Sequence, residues 1–263
     1  MERSGVSGLG VPVRVISLAR AVARQERFAA ECARLGIDYA LFTGVDGRAE
    51  LDRLMQQTDV PGWHSHMGAP IAAGHLGCYA SHVQLWQEIG NGPDDIVLVC
   101  EDDVVFHDDF PAAVQAALKV AGQWDICRFA KIRAKGAICQ GTVDGYLLNA
   151  YWGPFTGNAC YLIKRDLAAR LARDFWPISR AHDHELNRFF AYDFRLMGLE
   201  PFAAHPEDKA ESFITGQAMS EAKKFPKHKR LPYYVQKLAN YVRRLVWLGR
   251  HGMLRASDKP LAD

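Results

Sequence analysis

The chain has 263 residues, 49% apolar and 24% charged, the make-up of a soluble globule long enough to bury a sizeable core as one large domain or two small ones. No run approaches the roughly 18 apolar residues of a membrane span, and residues 1–12 lack the charged-then-apolar order of a signal peptide. The formal charge of +2 hides an asymmetry: ten of the 32 Lys and Arg but one of the 30 Asp and Glu fall in residues 221–255, which leaves the remainder acidic by seven charges.

Val13 to Leu18 reads as a first strand. Arg20 to Leu35 follows at helical spacing and stops at Gly36, and Ile37 to Phe42 reads as a second strand. A strand–helix–strand opening predicts a parallel pair with a crossover helix. Arg48 to Gln57 reads as an exposed helix and Thr58 to Pro70 as irregular chain. Ile71 to Ile89 reads as a helix with His75, Tyr79, His82 and Trp86 on one face, a stripe that serves packing as readily as chemistry. Gly74 and Gly77 within it point to close approach of backbone or ligand. Beyond the next strand, Phe110 to Ala121 and Arg165 to Arg173 read as helices, and Trp124 to Ala130 and Cys160 to Ile163 as strands. Between these last two, Lys131 to Gly157 reads as a hairpin region. A helix opens at Arg180 and runs to about Phe190, and Leu199 to Ala203 reads as a late strand. The six cysteines are scattered, with no C-x-x-C pair, and read as reduced core residues of a cytoplasmic protein.

The chain is organised around Ile96-Val97-Leu98-Val99-Cys100-Glu101-Asp102-Asp103-Val104. Five apolar residues without alternation read as a strand buried on both faces. The acids fall where it leaves the sheet, at the carboxyl end where open α/β sheets bind ligands. Adjacent carboxylates repel, and a divalent cation with oxygen ligands is the natural counter-charge. A helix-capping role for the acids of Asp108-Asp109-Phe110-Pro111 just after is the plainer reading of those two. A second group, His182-Asp183-His184-Glu185, opens a helix; Asp183 is either its cap or a general base for an incoming hydroxyl. No phosphate loop of the Gly-x-x-x-x-Gly-Lys-Ser/Thr type and no Gly-x-Ser-x-Gly elbow is present, which argues against P-loop NTPases and that hydrolase class.

These pieces stand in the order of a known family. Val15-Ile16-Ser17-Leu18 with Arg24, Gly44-Val45-Asp46-Gly47, Gly74-His75-Leu76-Gly77-Cys78-Tyr79-Ala80-Ser81-His82 with Trp86, Glu101-Asp102-Asp103, Gly157 to Ile163, Asp183, and finally Ser212 and Ile214 resemble glycosyltransferase family 25 over residues 12–215. The specific part is the Gly-x-x-Gly-Cys-x-x-Ser-His and Glu-Asp-Asp pairing. The resemblance implies a GT-A-like α/β fold with a mostly parallel central sheet flanked by helices, a UDP-sugar donor, commonly UDP-galactose, Mn²⁺ (or Mg²⁺), and inversion at the anomeric carbon. It puts the metal at Glu101 and Asp103 with Asp102 beside them, and His205 as a further ligand. Ser17, Leu18, Arg24, Val45 and Asp46 fall near the nucleotide, Ser81 and His82 near the donor sugar, and Asp183 at the acceptor as base. His75 departs from the family, which usually has an acid there; Tyr79 replaces a small residue, and Arg180-Ala181-His182 precedes Asp183 where the family often has a Pro.

Pro232 to Leu248 reads as a basic amphipathic helix following the cluster Lys223 to Arg230. It suits either the anionic surface of a membrane or the body of the protein, with a nucleic-acid partner disfavoured by the acidic remainder. The expected organisation is a flexible N-terminus (1–12), a GT-A-like domain (13–215) and a basic tail (216–263). The expected protein is a peripheral enzyme at the inner face of the cytoplasmic membrane, handing a hexose to a lipid-linked or oligosaccharide acceptor. A non-catalytic nucleotide-sugar or glycan-binding module and a metal-dependent hydrolase are the competing readings.

Overall fold

A computed structural model of the chain describes residues 8–207 and 224–261. Ser212 and Ile214 lie outside the described residues. The N-terminal half runs β1 (Val13–Ser17), α1 (Val22–Leu35), β2 (Ala40–Thr43), α2 (Leu51–Gln56), α3 (Val60–Met67), α4 (Ala73–Asn91), β3 (Ile96–Glu101), β4 (Val104–Phe106) and α5 (Phe110–Lys119). It continues as β5 (Ile126–Arg128), β6 (Arg133–Ala134), β7 (Ala137–Val143), β8 (Tyr146–Tyr151), β9 (Phe155–Thr156), β10 (Cys160–Lys164) and α6 (Arg165–Asp174). The last elements are α7 (His182–Leu186), α8 (Phe189–Tyr192), β11 (Leu196–Glu200), β12 (Ala204–Pro206) and α9 (Leu231–Arg250).

Eight strands form one sheet in the order β2-β1-β3-β10-β5-β11-β8-β7. The strand–helix–strand opening does give parallel β1/β2 and β1/β3 pairs, and β5/β11 is parallel too. The pairs β3/β10, β10/β5, β11/β8 and β8/β7 are antiparallel, so the sheet is mixed where a mostly parallel one is expected. Apolar runs report burial on both faces but not strand direction, and the hairpin β7/β8 closes antiparallel through a short turn. Its turn holds Asp144 and Gly145 at positive φ.

β3 sits at the third place in this order, and Val97 to Cys100 are buried, as a strand covered on both faces requires. Its carboxyl end therefore opens beside the ends of parallel β1 and β2, where the loops that follow converge. α4 runs alongside, packed most heavily against α6. Residues 58–70, expected to be irregular, contain α3. Asp59 caps it by accepting from the Gly62 N–H at 3.0 Å, with Pro61 in its first turn. Leu9 and Val11, placed in a flexible N-terminus by the sequence, are buried in the core, and Gln115 Nε2 donates to the Leu9 carbonyl at 2.7 Å.

The described part of the tail is built into the body. Arg244, Trp247 and Leu248 bury one side of α9, with the Trp247 ring 5.0 Å from Phe189. Past the helix, Ser257 and Leu261 donate backbone hydrogen bonds to Cys139 and Thr142 and cover the free edge of β7. The other side of α9 exposes Leu231, Val235, Leu238, Val242, Leu245 and Val246. At 3.6 residues per turn they fill an arc of about 100° facing away from the core. No helix among the described residues is long and apolar enough to cross a membrane.

Candidate active site

The carboxyl ends of β1, β2 and β3, together with α4, enclose a cleft of about 720 Å³, open solvent at its mouth included. Ser17, Leu18, Arg24, Val45, Asp46, Ser81, His82, Glu101, Asp102 and Asp103 all line it. Residues far apart in sequence and singled out individually are thus brought to one place.

The loop after β2 reaches the cleft because two glycines let it lie on α4. A Cβ on Gly47 would stand 1.9 Å from the Ala73 carbonyl oxygen, and one on Gly77 would stand 2.5 Å from the Gly47 nitrogen. The approach that these glycines announce is therefore backbone on backbone. Ser81 fixes the same contact: its hydroxyl accepts from the Val45 N–H at 2.8 Å and donates to the Gly77 carbonyl at 2.7 Å. Its role is to hold the loop. Asp46, at the loop's tip, accepts from Arg20 Nε at 2.7 Å and from the Arg48 N–H at 3.0 Å. Arg20 pulls the Asp46 carboxyl below its ordinary range by hydrogen bonding. Arg20 and Arg48 bring cationic side chains to the rim of the cleft; they carry no motif, and only the fold places them.

The three acids separate into different roles. Asp102 is buried with both oxygens engaged: Oδ2 accepts from the Ser17 hydroxyl at 2.6 Å and Oδ1 from Arg24 Nη1 at 3.1 Å. It braces β3 to β1 and α1. Glu101 is braced by a relay. Trp86 Nε1 donates to the Tyr161 hydroxyl at 2.9 Å, which leaves that proton to point at His82 Nδ1, 2.8 Å away. His82 then carries its own proton on Nε2 and donates it to Glu101 Oε1 at 3.1 Å. Asp103 has one oxygen near Arg24 Nη1, at 3.4 Å, and its buried Oδ1 has no hydrogen-bond partner among the described residues. Burial first, and the Glu101 charge second, push its carboxyl up to about 7.

This arrangement fits a divalent cation. A buried carboxylate with an orphaned oxygen, made unstable as an anion by a second carboxylate, is what a hard cation would satisfy. Glu101 and Asp103 would hold it. Cys78, His82 and Glu101 also bring ligand atoms within 4.8 Å of one another. Burial and the carboxylates of Glu101, Asp183 and Asp103, however, push the Cys78 thiol far up, and His82 Nε2 is spent on Glu101. Oxygen donors therefore form the better set for a hard cation. His205 is not among the residues lining this cleft. It lies opposite Val105 on the β12/β4 pair, exposed, with Nδ1 2.9 Å from His107 Nε2.

Asp183 begins α7, and the electrostatic neighbourhood of Cys78 joins it to the acids of β3. Its Oδ1 accepts from the His184 N–H at 2.8 Å and its Oδ2 from the Gly157 N–H at 3.2 Å, so it is aimed by backbone alone. Gly157 has φ +100°, and a Cβ there would meet the Ile132 nitrogen at 2.6 Å. The loop behind it is held by Arg128, buried beneath β9 and donating to the Phe155 carbonyl and Asn158 Oδ1. Burial pushes the Arg128 guanidinium down to about 10, still charged at neutral pH. Arg128 carries no signal in the sequence, and Asn158 figures there only as part of the Gly157 to Ile163 stretch.

The neighbours of Asp183 have other duties. His182 is buried and stacked on His82 with ring centres 4.2 Å apart, and burial pushes its pKa far down. Glu185 is buried between Arg180 and Arg188, at 2.7 and 2.6 Å. His75 lies close enough to feel the Asp183 charge, but burial dominates and lowers its pKa, so it is neutral where the family usually has an acid.

The chain is thus a mixed α/β domain with an acid-floored cleft at its strand ends, where such sheets bind ligands, and a separate carboxylate aimed by backbone alone. The family model for glycosyltransferase family 25 (LPS biosynthesis protein) matches residues 11–184, and the chain belongs to this family. It is 26% identical over 225 residues to a human protein named inactive glycosyltransferase 25 family member 3, covering 78% of this chain and 37% of that one. To procollagen galactosyltransferase 1-B of Xenopus laevis it is 30% identical over 115 residues, 40% of this chain and 18% of the relative. The chain thus spans well under half the length of these relatives. Among solved structures, a mannosyltransferase of Pyrobaculum calidifontis in complex with GDP-Man and Mn2+ aligns with 92% of this chain and 74% of its own, at 12% identity and a TM-score of 0.44.

Proposed function

We propose that the protein is an inverting, metal-dependent hexosyltransferase that moves galactose from UDP-galactose to a hydroxyl of a lipo-oligosaccharide or related glycan. The observation that carries this reading is the pairing of Glu101 and Asp103 on the cleft floor, with Asp103 Oδ1 unpartnered, and with the charge of Asp183 acting together with theirs on the Cys78 thiol. A bound Mn²⁺ or Mg²⁺ would offset the charge gathering on the diphosphate oxygens. The residues of the chain do the rest. Arg20 and Arg48 at the rim suit the phosphates and the loop around Val45 the nucleoside. Asp183 accepts the acceptor's hydroxyl proton as the oxygen bonds to the anomeric carbon, while the carbon–oxygen bond to the diphosphate breaks and UDP leaves with the electron pair. Attack from the face opposite the leaving group inverts the centre.

We further propose that the acceptor is met at an anionic membrane surface, the inner face of the cytoplasmic membrane. Support comes from α9, whose outward apolar arc is flanked by Arg243 and Arg250. That is the pattern of a helix lying in a lipid interface.

Thermal melting with Mn²⁺ and a panel of UDP, GDP and CMP sugars tests the donor assignment. UDP with Mn²⁺ is expected to stabilise the protein by about 2.7 kcal/mol at a hundredfold excess over Kd. No shift with any nucleotide would leave only a non-catalytic binding module.

A further inference from the structure

A second cavity, of about 770 Å³ with its open mouth, lies between α7, the β6/β9 ladder and the inner side of α9. Arg133, Arg180, Arg188, Lys237 and Arg244 line it. Glu185, buried behind the wall, is the one carboxylate paired with this set among the described residues, and it is shared by Arg180 and Arg188. Arg244, only 4% exposed, gives its hydrogen bonds to neutral acceptors, the Trp152 carbonyl at 3.0 Å and the Asn187 carbonyl at 3.1 Å. Its Nε, like that of Arg188, is buried without a partner. No ion pair engages Arg133 or Lys237 among the described residues. His66, on the same wall, is pushed towards its neutral form by burial and then by the Arg180 charge. Arg180 and Arg244 are buried and Arg188 half-buried, with Glu185 the one carboxylate paired among the three in the described residues; cations desolvated in excess of their carboxylates are costly unless an anion completes them.

The cavity also shares its wall with the proposed base. His184 and Thr156 line it, and each is the chain neighbour of a residue that fixes Asp183: His184 adjoins Asp183 itself, and Thr156 adjoins Gly157, whose N–H holds Oδ2. Adjacent Cα atoms stand about 3.8 Å apart, so the wall of this cavity begins one residue along the chain from Asp183 and from Gly157.

We propose that this cavity anchors the acceptor by a phosphate or carboxylate group carried on its glycan, and so sets which hydroxyl reaches Asp183. The proposal rests on the reading of Asp183 as the acceptor-side base. The guanidiniums suit either oxyanion, since their planar forks donate in pairs.

The test is calorimetric titration of the full chain, at constant ionic strength in chloride, with inorganic phosphate, glucose 6-phosphate, glucuronate and glucose. Lys237→Glu and Arg133→Glu are the variants, because both side chains are exposed and their loss opens no core. Phosphate and both sugar anions should bind and glucose should not, with affinity falling by about tenfold or more in each variant. Lys237→Arg should restore it. Arg243→Glu, on the same helix outside the cavity, should change it less than about twofold, since exposed charges couple weakly at a distance. Equal loss in Arg243→Glu, or no loss in Lys237→Glu, would overturn the proposal. So would binding of phosphatidic acid vesicles without binding of either soluble sugar anion, which would assign the site to a lipid headgroup. UDP with Mn²⁺, titrated in parallel, should bind parent and variants alike. Failure of that arm alone would strike the donor reading and leave the anion site standing, while displacement of phosphate by UDP one for one would place the phosphate in the first cleft and overturn the second.

Discussion

Asp102 and Asp103 are neighbours in sequence, yet Asp102 has both oxygens engaged by Ser17 and Arg24 while Asp103 keeps one without a partner. The orphaned oxygen makes a prediction for Asp103. Without metal, the carboxyl of Asp103 is raised to about 7 when folded, so its contribution to stability is fully present below its ordinary pKa and lost as pH rises through 7. Its side chain is still 22% exposed, so the loss is on the order of 1–2 kcal/mol and below the full linkage value. Asp103→Asn should therefore melt higher than the parent at pH 8 in EDTA and close to it at pH 5, while losing stabilisation by Mn²⁺. An equal difference at the two pH values would refute the assignment. The relay above Glu101 makes a second residue-scale prediction. Tyr161→Phe removes the proton that sets the His82 tautomer, and should lower Mn²⁺ affinity about 10–100-fold with little change in fold, as measured by titration. The acids were legible in the sequence because three carboxylates ending an apolar run are chemically conspicuous. Their separation into brace, metal candidate and relay partner was not, because Ser17, Arg24 and Tyr161 reach them from other strands and helices.

At the scale of the element, α4 carries the most of what the sequence announced. The stripe His75, Tyr79, His82 and Trp86 does share a helix, and the role of each comes from what it meets. Tyr79 donates to the Phe175 carbonyl, Trp86 packs 5.1 Å from the Phe175 ring and 4.7 Å from His182, and His82 reaches Glu101. Gly77 of α4 could be read as a close approach but not as an approach to a particular partner, since the loop it meets lies 30 residues upstream. Gly77→Ala tests that contact. Its Cβ would press on the Gly47 nitrogen and the Val45 carbonyl, both backbone atoms that cannot swing aside. The expected cost is about 1–3 kcal/mol in chemical denaturation, together with weaker UDP binding as the loop is displaced. Unchanged stability and binding would show that the loop does not depend on this seat. α3 went unread because two glycines, two prolines and two histidines within residues 58–70 resemble loop chemistry, while its start depends on one side-chain cap from Asp59.

Across the whole molecule, the tail joins two alternatives that the sequence set against each other. A single amphipathic pattern could mean packing on the body or contact with lipid, and in α9 one face packs on the body while the opposite face carries exposed apolar side chains open to the second task. Trp247 and Leu248 are buried against the body, whereas Leu238 is 67% and Val242 54% exposed on the other side. Periodicity alone cannot separate two apolar arcs on one helix, because both add to the same count of apolar residues. The inward face also closes the cationic cavity, so a glycan rooted in the lipid under α9 would meet cations on a wall that includes His184, the chain neighbour of Asp183. Flotation with vesicles containing phosphatidylglycerol should recover the protein at low salt and progressively less of it from 0.1 to 0.5 M NaCl, because screening weakens the Lys and Arg contacts while leaving the apolar contribution in place. Leu238→Glu with Val242→Glu should lower recovery about tenfold or more at fixed salt. These side chains face solvent, so the double variant should melt within about 1 kcal/mol of the parent. It should also keep UDP and phosphate binding, since neither residue lines either cleft. Full recovery of that variant with anionic vesicles would detach the apolar arc from membrane binding and return α9 to the single task of holding the cavity wall.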